Sequence, residues 1–315
     1  MSEQDTHLLH PIERLLAPRP SAILIAGPTA SGKSGLAMLI ARRHGGVVIN
    51  ADSMQVYRDL RVLSARPSEA DEDAILHRLY GHVGAEVRYS AGQWLADVAP
   101  VLSTAKAEGR LAVVVGGTGL YFAALTEGLA SVPPISPEVR ARIAAMSAKT
   151  DSAELHRILV ARDPEGAATV RPSDRGRIVR ALEVLEETGK PLSEWRAEAH
   201  VEPVLADPVP RVVIAPDRAW LHARISERAD AMLAAGALDE VRRLMARGLP
   251  GDLPAKKAIG VRQFAHHLAG RCSLEEALAG VKTETRRYAR RQETWFRGRM
   301  ADWLRVSPAD WQEVG

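Results

Sequence analysis

Hydrophobic and polar positions along the first half of the chain fall into a repeating pattern. Ser21–Gly27, SAILIAG, is a short apolar run closed by glycine, as expected of a strand buried on both faces. Leu36, Leu39 and Ile40 then recur at helical spacing up to Gly45-Gly46, which predicts a helix and its stop. Further apolar runs at Val47–Asn50 (VVIN), Leu111–Val115 and Arg211–Pro216 (RVVIAP) predict more buried strands. Strands alternating with helical stretches build βαβ units, so the expected fold is α/β, a parallel sheet with flanking helices.

The stretch between the third and fourth runs carries no strand pattern. It opens on the turn-rich SVPPISP at Ser131–Pro137. Asp151-x-x-Glu154 has the form of a capping box, and Ser173-Asp174 opens the helical RGRIVRALEVLEET, which stops at Gly189 and Pro191. This predicts an inserted all-helical domain over 132–197. The first part of the core would be 21–131, with an unanchored lead-in at 1–20. Residues 198–315 would complete the core and carry basic C-terminal helices, one opened by a capping box at Ser273-x-x-Glu276.

Between the first strand and the first helix lies Gly27-Pro28-Thr29-Ala30-Ser31-Gly32-Lys33-Ser34, which fits the P-loop pattern in the required strand–helix context. The glycines let the backbone curl so that successive N–H groups point inward at the positive end of the helix dipole. Lys33 adds a point charge for the terminal phosphate, and Ser34 offers a hydroxyl to Mg²⁺. The core is therefore expected to be P-loop-type, binding a pyrophosphate or triphosphate. A nucleotide hydrolase would also need a carboxylate at the end of a second strand to hold Mg²⁺ and position water. The third strand ends in Gly116-Gly117-Thr118-Gly119, without one, and Asp52 is an acid that follows the second strand. That combination points to group transfer.

Composition narrows the class. In 315 residues, 46% are hydrophobic and 26% charged, ordinary for a globular protein and too apolar for a disordered one. A single cysteine, Cys272, excludes an internal disulfide or a cysteine zinc site. No apolar run approaches a membrane span, and the first residues, MSEQDTHLLHPIERLL, lack the basic start and apolar stretch of a signal peptide, so the expected location is cytoplasmic. Net charge is only +3, but Lys282–Arg299 holds Lys282, Arg286, Arg287, Arg290, Arg291, Arg297 and Arg299 against Glu284 and Glu293, which favours a polyanionic partner. His77, His82, His266 and His267 lack metal-ligand spacing, so no metal beyond a bound Mg²⁺ is expected.

The order GPTASGKS, DSMQVY (Asp52–Tyr57), VGGTGLY (Val115–Tyr121) resembles the tRNA dimethylallyltransferase family in its bacterial form. Further matches extend over nearly the whole chain: HRL at His77–Leu79, YSAGQW at Tyr89–Trp94, RALEV at Arg180–Val184, IAPDR at Ile214–Arg218, IGVRQ at Ile259–Gln263 and RRQETWFRG at Arg290–Gly298. The resemblance implies transfer of a dimethylallyl group from dimethylallyl pyrophosphate to N6 of the adenosine 3′-adjacent to the anticodon of tRNA. The P-loop, Gly27 to Ser34, would then hold the pyrophosphate of the donor.

The resemblance also assigns roles. Asp52 matches the general base that accepts the amine proton as the C–N bond forms. Thr29, Lys33 and Arg218 match groups acting on the leaving pyrophosphate, with Arg218 clamping it from the far side. The target base must leave its stack to reach a buried carboxylate. Asp52, Ser53, Met54 and Gln55 are placed to meet it, with Gln55 a bidentate reader of its edge. Thr118 matches a tRNA-contact position, although a threonine in a turn equally serves its own backbone. Contacts to tRNA are expected in the insertion at Gly176, Arg177, Ile178, Val179 and Arg180, in part through the backbone, and at Arg140. There Arg175, Arg177 and Arg180 form a basic patch. On the C-terminal helix Arg287 and Arg291 line one row and Arg286 and Arg290 the next. Partners are thus an anticodon stem-loop and the donor, with no membrane, and the chain is expected to be a monomer. Other readings stay open from the residues alone: an adenylate isopentenyltransferase acting on free AMP, a P-loop small-molecule kinase, and a non-catalytic P-loop RNA-binding module.

Overall fold

Ala22–Ala26 forms β1, with every residue buried, and the apolar run reads as it does because both faces of this strand are covered. A computed structural model describes residues 10–198 and 200–309. In chain order the core begins with α1 (His10–Leu15), β1, α2 (Lys33–His44), β2 (Val47–Asn50), α3 (Arg61–Ser64), α4 (Glu69–Ala74), β3 (His77–Arg78), α5 (Ala91–Ala107), β4 (Ala112–Gly116) and α6 (Gly119–Glu127). Then follow β5 (Leu129–Ala130), α7 (Pro137–Lys149), α8 (Ser152–Arg162), α9 (Pro164–Ala168), α10 (Arg175–Thr188), α11 (Leu192–Glu198) and β6 (His200–Val201). The chain ends with β7 (Arg211–Ile214), α12 (Arg218–Ala234), α13 (Ala237–Ala246), a 3₁₀ turn at Pro254–Lys257, α14 (Val261–Leu268), α15 (Leu274–Arg299) and β8 (Leu304–Val306).

The main sheet has six strands in the order β3-β2-β4-β1-β7-β8, all parallel, with helices between them. The four predicted strands are its centre, and the α/β expectation holds. Register matters for function: Ala26 lies beside Gly116 and Val213, and Asn50 beside Val115. The loops after β1, β2 and β4 therefore leave the sheet at one edge, the carboxyl ends where open parallel sheets bind ligands.

Two apolar clusters build this part of the molecule. One joins Ile23 and Ile25 of β1 to Leu36 and Ile40 of α2, and includes Ile12 and Leu16. The expected unanchored lead-in is thus corrected over its described part: α1 docks on the core, and Glu13 pairs with Arg43 and His44 of α2. Residues 1–9 of that lead-in lie outside the described residues. The second cluster joins Tyr57 and Leu60 to Val241, Phe264 and Val281, fixing the C-terminal helices to the segment after β2.

Contacts within the chain separate the core, Met1–Leu125 with Leu205–Gly315, from a second unit, Thr126–Val204. That unit has its own core, in which Ile143, Leu155, Leu159, Ile178 and Leu182 are buried. Asp151 and Asp174 cap α8 and α10 through the backbone N–H groups of Glu154 and Arg177, and Gly189 ends α10 with φ +68°. The unit is not all-helical: β5 and β6 pair antiparallel. Strands of two residues carry no periodicity, so the sequence gives no sign of them.

Candidate active site

Gly27 leaves β1 with its N–H directed to the carbonyl of Gly116, 3.3 Å away, and the chain then curls through Ala30 (φ +65°) and Gly32 (φ +85°) into α2. Gly32 is the N-cap of α2 and offers no side chain to the first-turn amides, so these remain as donors for an anion. The Ser31 hydroxyl is fully buried and without a hydrogen-bond partner, which suits a cradle completed by its ligand. Lys33 is only 8% exposed, and its Nζ reaches the Pro28 carbonyl at 3.2 Å. Burial lowers its pKa to about 8; the charge of Asp52 works against the fall and that of Arg228 adds to it. Ser34 is exposed one residue further on.

Asp52 stands in a turn fixed from several sides. The Asn50 amide spans it, accepting from the Asp52 N–H at 2.8 Å and donating to the carbonyls of Asp52 and Leu79 at 3.0 Å. Buried Trp94 donates to the Asn50 carbonyl at 2.8 Å and stacks on Tyr121 with ring centres 4.4 Å apart. Asp52 Oδ1 accepts from the Met54 N–H at 2.9 Å, a turn-forming bond of the ordinary kind for aspartate. Its Oδ2 faces the β4 loop: a Cβ on Gly117 would sit 3.3 Å from it. Gly116 lies so close to the backbone of Ala51 that no side chain fits, and this close approach brings the two loops together. Thr118 completes the join, its hydroxyl oxygen accepting from the Ser53 N–H at 2.9 Å.

The C-terminal helices supply the remaining wall. Arg228 of α12 donates to the Thr29 hydroxyl at 3.0 Å and to the Ser64 carbonyl at 3.4 Å. Burial lowers the pKa of its guanidinium, against the pull of Asp52. Gln292 of α15, 4% exposed, accepts from the Thr29 N–H at 2.9 Å and donates to the Gly117 carbonyl at 2.8 Å. The phenols of Tyr80, Tyr121 and Tyr288 are pushed up, first by burial and then by the charge of Asp52. Asp52 is thus the negative charge that Lys33 and Arg228 both feel. Thr29, Asp52 and Arg228 open on a cavity of about 650 Å³, within the usual range for ligand sites. Its walls combine apolar Leu63, Ile225 and Met232 with basic Lys256, Lys257 and Arg262.

The structure brings together Thr29, Lys33, Asp52, Ser53, Met54 and Thr118 as expected from the sequence. Arg218 is the exposed first residue of α12, and the arginine that reaches the P-loop is Arg228. Gln55 needs correction. It is 8% exposed, and its amide donates at 3.0 and 2.9 Å to the carbonyls of Ser64 and Ala65, which the end of the short α3 leaves without helical partners. Those donors are spent on the fold and cannot read a base edge. On α15, Arg287 and Arg291 are exposed, with Arg291 near Glu284 at 3.6 Å and over the Tyr288 ring.

Within the second unit, Gly176, Arg177 and Arg180 are exposed near the start of α10, Val179 is half-buried, and Arg140 is half-buried on α7. Ile178 is fully buried in that unit's core, so its side chain is no tRNA contact. Arg175 also leaves the expected basic patch, because its guanidinium is turned inward to the carbonyls of Ser147 and Thr150. Sequence reasoning missed Arg228, Gln292 and the basic rim of Lys256, Lys257 and Arg262. Gln292 lies within the RRQETWFRG match, which was the available signal. Arg228 sits among other arginines of an amphipathic helix, where no pattern separates it.

A parallel sheet whose first strand feeds a glycine-rich loop into a helix, with the Asp52 carboxylate at the same end of the sheet, defines a P-loop-type α/β protein. Family models described as IPP transferase and isopentenyl transferase match residues 55–299 and 20–84. This chain belongs to the IPP transferase family. It is 52% identical over 285 residues to the tRNA dimethylallyltransferase of Azorhizobium caulinodans, covering 90% of this chain and 91% of the relative. With that of Methylobacterium nodulans it shares 54% over 281 residues, covering 89% and 93%. Among solved structures, the tRNA isopentenylpyrophosphate transferase of Bacillus halodurans superposes with TM-score 0.64 at 31% identity, covering 91% of this chain and 89% of that one. A eukaryotic dimethylallyltransferase acting on tRNA gives TM-score 0.75 at 27% identity, with coverage of 91% and 73%.

Proposed function

We propose that this chain transfers the dimethylallyl group of dimethylallyl pyrophosphate to N6 of the adenosine 3′-adjacent to the anticodon of tRNA. The observation that carries this reading is the meeting of a P-loop with Asp52 over one cavity. The bond between the allylic carbon and the bridging oxygen breaks, the C–N6 bond forms, and the N6 proton goes to Asp52. The P-loop amides, Lys33 and Arg228 receive the charge that builds on the departing pyrophosphate. The Lys33 ammonium has three donors, so its one bond to the Pro28 carbonyl leaves two for the anion. Its charge is then stabilised by the anion, so its pKa rises on binding. The apolar wall of Leu63, Ile225 and Met232 keeps water from the allylic carbon, which would otherwise be hydrolysed.

Magnesium fits the donors present. Ser34 and the pyrophosphate itself offer hard oxygens, and the cation is commonly bound by one or two protein groups together with substrate phosphates. Among the described residues no group of three or more His, Cys, Asp or Glu could hold a metal without substrate. Ser34 would hold the ion, which when bound adds charge stabilisation to the leaving group. Exposed Arg287 and Arg291, with the rim of Lys256, Lys257 and Arg262, offer the cations that a tRNA backbone requires. No helix among the described residues is long and apolar enough to cross a membrane. In this reading the chain acts on tRNA as a monomer in the cytoplasm.

The test offers the protein dimethylallyl pyrophosphate and Mg²⁺ with either AMP or an anticodon stem-loop, and looks for prenylated adenosine by mass spectrometry. Product on the stem-loop alone supports the reading. Product on AMP would make the chain an adenylate isopentenyltransferase. Product on neither, with ATP competing for the donor site, would return the small-molecule kinase.

A further inference from the structure

Gln292 is a buried carboxamide on the long basic helix, yet both ends of it are engaged by loops from the sheet edge. Its Oε1 accepts from the Thr29 N–H in the P-loop at 2.9 Å, and its Nε2 donates to the Gly117 carbonyl after β4 at 2.8 Å. A Cβ on Gly117 would collide with Nε2, so the fit is close. The two loops have different tasks. Thr29 carries the hydroxyl that Arg228 holds at 3.0 Å, on the pyrophosphate side. Gly117 precedes Thr118, whose hydroxyl oxygen fixes the Ser53 N–H at 2.9 Å beside Asp52, on the base side.

We infer that Gln292 is a positioning residue for the transfer, a two-armed strut that sets the distance between the pyrophosphate cradle and the turn that carries Asp52. A carboxamide of this length carries an acceptor and a donor on one carbon, and so serves both loops at once. The Thr29 N–H is also committed to this strut, so the cradle presents the donor with the amides beyond Thr29. Gln292 touches no reacting atom. Its effect runs through geometry, and a displacement of about 1 Å in a reacting constellation costs roughly 100-fold in rate. The strut is rooted in α15, one residue from Arg291 and five from Arg287, so the helix that offers cations to tRNA also spaces the two halves of the site.

The inference rests on the transfer reading, and two readouts separate their failures. In Gln292→Met, which keeps the volume and removes both hydrogen bonds, kcat for the stem-loop falls about 100-fold while KM for donor and stem-loop changes less than about threefold. In Gln292→Glu the acceptor arm survives but the Gly117 carbonyl faces an oxygen, and the loss is at least as large. Hydrogen exchange of the Thr29 amide, read by NMR without any substrate, is at least about tenfold faster in Gln292→Met than in the wild type. Unchanged kcat in the Met variant, wild-type kcat in the Glu variant, or loss of the folded state in the Met variant would overturn the inference. Unchanged Thr29 exchange would remove the strut itself, even if the wild type transfers nothing and the functional reading has fallen.

Discussion

Lys33→Met is expected to stabilise the substrate-free protein while ending turnover, and the amount can be worked from the burial of the ammonium. Lys33 is 8% exposed, with one hydrogen bond to the Pro28 carbonyl, and its pKa falls from 10.5 to about 8. A fall of that size corresponds to about 3 kcal/mol of penalty for the charged form in the folded state. The sign follows from proton counts. Between pH 8 and 10.5 the unfolded chain binds more protons at Lys33 than the folded one, so wild-type stability rises with pH across that window and is flat below it. Methionine has no such dependence. The stability gap in favour of Lys33→Met is therefore largest near neutral pH and shrinks by about 2 kcal/mol between pH 7 and about pH 9.5. Urea denaturation of both proteins at the two pH values, without anions, measures it, and groups common to both cancel in the double difference. A gap that stays constant with pH would refute the reasoning. A second arm adds pyrophosphate, which raises the melting temperature of the wild type and leaves that of the variant nearly unmoved.

Arg228→Lys lowers turnover by at least about tenfold, because an ammonium cannot hold the Thr29 hydroxyl and the Ser64 carbonyl in one fork as the guanidinium does; steady-state kinetics with the donor varied would read it. Glu240→Ala costs roughly 2 kcal/mol in denaturation, since the buried carboxylate accepts from the N–H groups of Val62 and Leu63 at 2.8 and 2.9 Å, while transfer per folded molecule stays near wild type. Replacing both Arg287 and Arg291 by alanine weakens stem-loop binding and lowers the slope of log affinity against log salt by about 1 to 2, with donor KM unchanged; a titration at several salt concentrations measures it.

The centre of the fold was legible because strands buried on both faces need apolar residues at nearly every position, and glycine closes β1 and β4. The edge strands were not. His77–Arg78 pairs with β2 and Leu304–Val306 with β7, but such short edge segments have one solvent side and no room for a pattern. The cradle and Asp52 were legible for a different reason: backbone curvature and a strand-end acid are local, so a handful of adjacent residues encode them. Arg228 and Gln292 reach the site from α12 and α15, and their roles exist only once distant helices pack. Gln55 shows the opposite failure. A polar side chain beside Asp52 looked available for a base, and tertiary packing had already engaged it with orphan carbonyls at Ser64 and Ala65.

The most direct test of the central claim, that one site joins a pyrophosphate cradle to a carboxylate base, is the behaviour of Asp52→Ala with each half-reaction read separately. Donor binding is measured by calorimetry, and transfer to the stem-loop in a single turnover by mass spectrometry. The expected result is transfer slowed by at least about 100-fold with donor affinity unchanged or tighter, because a negative charge near the pyrophosphate has gone. Equal loss of donor binding and transfer would contradict the account and make Asp52 part of the cradle or its metal site.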